Sequence, residues 1–105
     1  MMTQLQNVTL HKAANIYFDG KVTSRTALLD DGNKVTLGIM LPGEYTFNTD
    51  AKELMEITQG TLSYRLVDQD WVEIDGSGAF EVPKNSQFEL KVLEITDYCC
   101  HYIEV

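Results

Sequence analysis

Val35-Thr36-Leu37-Gly38-Ile39-Met40-Leu41-Pro42-Gly43 is the stretch that decides the fold. Val35, Leu37, Ile39 and Leu41 alternate with Thr36, Gly38 and Met40, and the run stops at a Pro-Gly turn. Successive side chains of an extended chain point to opposite faces, so a period of two marks a strand. The pattern returns further along. Leu62, Tyr64 and Leu66 alternate with Thr61, Ser63 and Arg65, while Phe88, Leu90 and Val92 alternate with Gln87, Glu89 and Lys91. Near the end, Tyr98, Cys100 and Tyr102 share a face. Turn formers separate these runs: Asp30-Asp31-Gly32-Asn33, Gln59-Gly60, Asp68-Gln69-Asp70, Asp75-Gly76-Ser77-Gly78 and Pro83-Lys84-Asn85-Ser86. Short strands with turns every 8–12 residues or so predict an all-β sandwich or barrel. Both prolines fall at strand junctions, where a missing N–H breaks no ladder bond. No window holds the i, i+3, i+4, i+7 apolar spacing of a capped helix. There is no internal repeat, low-complexity tract or linker. The chain therefore divides into a lead, 1–14, and one all-β domain, 15–105. The lead is either flexible or an extra edge strand.

The composition fits one small soluble domain. The chain has 105 residues, 44% of them hydrophobic and 23% charged. Its formal net charge of −8 excludes the basic stripe that supplies affinity for nucleic acid, and it disfavours an anionic membrane surface. No apolar stretch approaches the roughly 20 residues that span a bilayer. The lead lacks the basic and apolar regions of a signal peptide. Cys99 and Cys100 are neighbours on a strand and point apart, so they form no disulfide framework. These features predict a reduced, cytoplasmic chain.

Two turn-rich blocks say more. The first runs Gly38-Ile39-Met40-Leu41-Pro42-Gly43-Glu44-Tyr45-Thr46-Phe47 and then Glu53-Leu54-Met55-Glu56-Ile57-Thr58-Gln59-Gly60. The second runs Gly78-Ala79-Phe80-Glu81-Val82-Pro83-Lys84-Asn85-Ser86-Gln87-Phe88. They resemble the two cupin motifs, which implies a single jelly-roll-like cupin β-barrel. Metal-dependent cupins carry three histidines and a glutamate there. In this chain Tyr45, Phe47 and Phe88 stand at the histidine positions and only Glu53 remains, so no metal is expected.

Asn15-Ile16-Tyr17-Phe18-Asp19-Gly20-Lys21-Val22, Pro42-Gly43-Glu44-Tyr45-Thr46-Phe47, Phe80-Glu81-Val82-Pro83 and Asp97-Tyr98-Cys99-Cys100-His101-Tyr102 narrow the match. Together, across about residues 15–102, they resemble the small pyrimidine/purine nucleoside phosphorylases. Val67-Asp68-Gln69-Asp70 departs from the family's Leu-Pro-Gly-like turn, and His101 stands at a variable position with no assigned part. The resemblance implies cleavage of purine and pyrimidine nucleosides by inorganic phosphate, giving free base and α-D-ribose 1-phosphate. It also implies a homodimer, with phosphate as co-substrate and no cofactor.

Such a reaction builds positive charge at C1′, and a carboxylate fixed nearby stabilises it. Glu53 is the expected acid, with Glu44 beside it. Tyr45, Phe47, Phe88, Tyr98 and Tyr102 are expected to line the substrate site, the aromatic rings stacking on any base. Asn85, Ser86 and Arg25 are the phosphate candidates; Lys21, Arg65, Lys84 and Lys91 are the other cations considered. Each aromatic residue has an alternative place as barrel filling. Cys99 and Cys100 are expected to be buried strand residues, with no histidine near enough to activate them. His11 is given no catalytic part, and Trp71 is expected to cap the barrel. Two rival readings remain: a non-catalytic cupin that binds a nucleoside or sugar, and a metal-dependent cupin.

Overall fold

The computed structural model describes residues 3–103. Within them lie nine strands: β1 (Thr9–Leu10), β2 (Asn15–Tyr17), β3 (Val22–Leu28), β4 (Lys34–Met40), β5 (Gly43–Asn48), β6 (Lys52–Leu66), β7 (Val72–Val82), β8 (Gln87–Val92) and β9 (Thr96–Ile103). A 3-10 turn at Phe18–Gly20 joins β2 to β3. Every pairing is antiparallel, in the order β1-β3-β4-β9-β6-β8-β5, with β2 added to β3 and β7 to β6. The sheet curls into the expected barrel. No helix among the described residues is long and apolar enough to cross a membrane.

The curl depends on β6. Its first half, Lys52–Gln59, pairs with β9, and its second, Leu62–Leu66, with β8; β7 runs along the other edge of both halves. The register shifts between these halves, and Gly60 sits there at φ 144°, a value that side chains disfavour. A Cβ on Gly60 would also lie 2.8 Å from the Cα of Thr96. The glycine at the end of the first cupin-like block is therefore where the strand exchanges partners and the sheet turns over.

The interior collects Met40, Ile57, Leu62, Val82, Leu90 and their neighbours. A side chain of this kind contributes roughly 1.5–3 kcal/mol when fully buried. In β8 and β9 the inward rows are Phe88-Leu90-Val92 and Tyr98-Cys100-Tyr102, as the alternation predicts.

In β4 the face that enters the barrel is the less apolar one. Thr36, Gly38 and Met40 point inward, Met40 being 1% exposed. Leu37, Ile39 and Leu41 are 37%, 38% and 39% exposed on the outside. Gly38 belongs to this inner row because β3 runs against it: a Cβ there would sit 2.7 Å from the Cα of Ser24.

The outside of the sheet carries a smaller apolar cluster of Ala27, Val35 and Cys99, covered by Leu5, Val8 and Leu29. In the described part of the lead, Thr9 and Leu10 pair with Leu28 and Ala27, and His11 N–H donates to Thr26 O at 2.9 Å.

Candidate functional site

β6 and β9 set the centre of the site. Glu53 and Tyr102 are opposed across the ladder, as are Met55 and Cys100. Their side chains enter the same concavity, a cavity of about 130 Å³ also lined by Ser24, Thr36, Phe47, Phe88 and Tyr98. Glu53 is 8% exposed, and Cys100 Sγ donates to its Oε1 at 3.3 Å. Removing a carboxylate from water disfavours its charged form. Burial accordingly lifts the Glu53 carboxyl above its ordinary value of 4.5, against lesser lowering effects from the Cys100 hydrogen bond and the Lys34 charge.

Aromatic rings form the wall. Phe47 stacks on Phe88 with centroids 5.5 Å apart, and Tyr17 meets the edge of Phe47 at 6.1 Å. The Tyr98 hydroxyl donates to Thr23 O at 3.2 Å. Burial pushes the phenols of Tyr98 and Tyr102 and the thiol of Cys100 upward, so all three keep their protons near neutrality and act as donors. Lys34 Nζ lies 4.2 Å from the centroid of the Tyr102 ring, which places a cation at the rim.

Of the residues named from sequence, the fold brings together Glu53, Phe47, Phe88, Tyr98 and Tyr102. The others lie elsewhere, each for a local reason. Tyr45 points inward but into packed core: its ring meets Phe18 at 4.9 Å and its hydroxyl donates to Leu41 O at 2.6 Å. Glu44 alternates with Tyr45 and faces solvent opposite Lys91. Arg25 alternates with the inward Ser24, and its Nε donates to Lys12 O at 3.2 Å, outside the barrel. The Pro83–Ser86 turn is tied to Thr49 instead. Ser86 N–H donates to Thr49 Oγ1 at 2.9 Å, and that hydroxyl donates to Pro83 O at 2.6 Å. Its N–H is therefore spent, and the exposed Asn85 beside it is not among the lining residues. Arg65 and Lys91 lie over Trp71 at 4.6 and 4.3 Å, and Arg65 also pairs with Glu89 at 2.9 Å.

Sequence reasoning missed Tyr17, Ser24, Thr36, Asn48, Met55 and Lys34. Lys34 shares one row of β4 with Thr36 and Met40, a row that the apolar alternation does not mark for burial. Cys99, expected to have no histidine near it, has His101 beside it. His101 lies on the outward face of β9 with Cys99, and its Nε2 is 2.9 Å from Glu56 Oε1.

The chain matches the family model described as pyrimidine/purine nucleoside phosphorylase over residues 12–102. It is 58% identical to a pyrimidine/purine nucleoside phosphorylase of Chlorobium chlorochromatii, over 97% of this chain and 99% of that one. It is 55% identical to a protein of the same name from Leptospira interrogans, over 98% of each. A crystal structure of a protein of unknown function from Acinetobacter superposes with a TM-score of 0.91 at 37% identity, covering 95% of this chain and 98% of that one. A cupin with a double-stranded β-helix fold from Methanocaldococcus jannaschii superposes at 0.64 over 88% and 89% of the two chains, at 13% identity, a likeness of fold alone.

Proposed function

The chain belongs to the pyrimidine/purine nucleoside phosphorylase family, and from that premise we propose that its inward pocket is where a nucleoside meets inorganic phosphate. The observation that carries this reading is Glu53: a buried carboxylate on an aromatic wall, hydrogen-bonded by a thiol rather than paired with a cation. Burying an acid in this way is costly, and sites of chemistry are where such costs recur.

In the reaction the N-glycosidic bond breaks with its electron pair leaving on the base, while a phosphate oxygen bonds to C1′. The proton that the base takes up balances the one that dihydrogen phosphate gives up. Free base and α-D-ribose 1-phosphate result. Glu53 faces the cationic C1′ or accepts from the ribose hydroxyls, and in a dry pocket either contact strengthens as charge develops. Tyr102 donates to the sugar or the phosphate, while Tyr98, whose proton goes to Thr23 O, offers its hydroxyl oxygen as an acceptor. Lys34, with the hydroxyls of Ser24 and Thr36, supplies the local attraction an anion needs in a chain of net charge −8.

A cavity of about 130 Å³ is smaller than the roughly 300–1,000 Å³ that encloses a whole drug-sized ligand. The pentose fits inside, and the base lies at the mouth against Phe47 and Tyr17. Stacking on a ring face is indifferent to base identity, which suits purines and pyrimidines alike.

The pocket works without a metal, because one carboxylate and one thiol fall short of the three or four protein ligands a transition ion takes. The active species is a homodimer, for which the outer row of Leu37, Ile39 and Leu41 is the candidate contact. The free thiols of Cys99 and Cys100 suit a reducing cytoplasm.

The test is turnover of uridine and inosine with and without inorganic phosphate, following free base and pentose 1-phosphate. Phosphate-dependent release of both bases is expected. Release without phosphate, or no release from folded protein, would overturn the reading, the second in favour of a non-catalytic binding cupin.

A further inference from the structure

We propose that Glu56, Cys99 and His101 form a binding site for one zinc-like divalent ion on the outer face of the barrel, behind the substrate pocket. Sγ of Cys99, Nε2 of His101 and a carboxylate oxygen of Glu56 all lie within 4.8 Å of one another. Register puts them there. Glu56 and Cys99 are directly opposed on β6 and β9, and His101, two residues on, projects from the same face.

A tetrahedral zinc ion with ligands at about 2.0–2.3 Å spaces its donors roughly 3.3–3.8 Å apart. The His101–Glu56 contact of 2.9 Å opens slightly to reach that spacing, and the sulfur closes in.

The donor set selects the ion. A thiolate, an imidazole and a carboxylate together suit borderline-soft zinc, whereas magnesium and calcium take oxygen ligands. As the ion binds, Cys99 releases its thiol proton to solvent, and Nε2 of His101 frees its lone pair by passing the proton it turns toward Glu56 to solvent or to Nδ1. Thiolate and carboxylate then balance the two positive charges of the ion, so a largely buried site ends neutral. Glu56 and Cys99 are screened from solvent, while the His101 side chain is 31% exposed and borders an outer cavity shared with Leu5 and Leu37. A water entering by that side completes the tetrahedron. His101 and Glu56 alone make an ordinary hydrogen-bonded pair; the soft donor on the same face goes beyond one.

The bound ion clamps β6 to β9 immediately behind Glu53 and Tyr102. Its ligands all face away from the pocket, so the site stands or falls independently of the reaction assigned there.

Full-length protein dialysed against chelator and titrated with cobalt(II) provides the test. The expected result is saturation near one equivalent per chain, with a thiolate-to-cobalt charge-transfer band. Zinc should displace the cobalt and raise the Tm of the wild-type protein. Cys99→Ser should lose the band, and His101→Ala should bind at least tenfold more weakly and lose the zinc-dependent rise in Tm while still unfolding cooperatively. Absence of the band in wild-type protein, or its persistence in Cys99→Ser, would overturn the site. So would equal binding by wild type and His101→Ala.

Discussion

Glu53 and Glu56 stand three residues apart on one strand, face opposite sides of the same sheet, and meet opposite fates. Glu56 finds a base: His101 lies 2.9 Å away on the neighbouring strand, and the pair is partly wet. Glu53 finds only a thiol at 3.3 Å inside an aromatic pocket, and burial raises its pKa. Both contacts cross from β6 to β9. The difference teaches that an acid with a basic side chain beside it is partnered within the fold, whereas an acid without one is held ready for a charge that arrives with substrate. Carboxylate count alone carries no such distinction, since sixteen acidic residues are spread over this chain.

The contrast breaks most readily by neutralising each acid in turn. Glu53→Gln should fold normally and lose well over tenfold in kcat/KM for inosine and uridine, whereas Glu56→Gln should stay within about twofold of wild type. Steady-state kinetics on both variants decides it. Equal losses would mean that the sheet's two faces are not functionally distinct.

A smaller effect belongs to the aromatic wall. Phe47→Ala removes the ring that stacks on Phe88 and meets Tyr17. Base stacking is worth about 1–3 kcal/mol; at the lower end of that range, about 1–1.4 kcal/mol for a base at the open mouth, KM should rise roughly five- to tenfold, and by similar factors for a purine and a pyrimidine nucleoside. A rise confined to one class would place base selection, rather than indiscriminate stacking, at Phe47.

The smallest effect is thermal. The native carboxyl of Glu53 has a raised pKa, so the folded state holds its proton more tightly than the unfolded state does. Ionising it therefore destabilises the fold, fully so above the raised native pKa and not at all below the ordinary value. Glu53→Gln should melt a few degrees above wild type at pH 7, and the gap should close as pH falls through the raised value toward 4.5. A variant that melts below wild type at pH 7 would show that Glu53 is better compensated than its surroundings indicate.

The strands were legible because alternation is a local property, and so was Glu53, because the first cupin-like block fixes its place relative to Gly60. Tyr98 and Tyr102 were legible for the same reason, both lying on an apolar row that the barrel keeps. Thr36 and Lys34 were not. A hydrophobic pattern marks Leu37, Ile39 and Leu41 as the row to bury, yet they lie outside while a hydroxyl and an ammonium sit toward the pocket. A binding cavity needs polar walls, and the pattern that finds cores passes over those. Ser24 was missed likewise. The Ser86 N–H was misjudged because its partner, Thr49, lies 37 residues away in sequence. Glu44 and Arg25 followed from chemical type alone, and strand parity turned both outward.

Strand β9 comes last in chain order among the described elements, yet it lies between β4 and β6 in the middle of the sheet and carries Tyr98, Cys100 and Tyr102. A chain still being synthesised, with β9 inside the ribosome, has β4 and β6 bearing open edges and Glu53 without its thiol neighbour. The pocket therefore cannot assemble before β9 is available; it closes in a late, long-range step of the kind that makes β-rich domains slow to fold. Until then, two unpaired edges lie open to other chains, so the last strand to arrive is also the one that shields this barrel from aggregation.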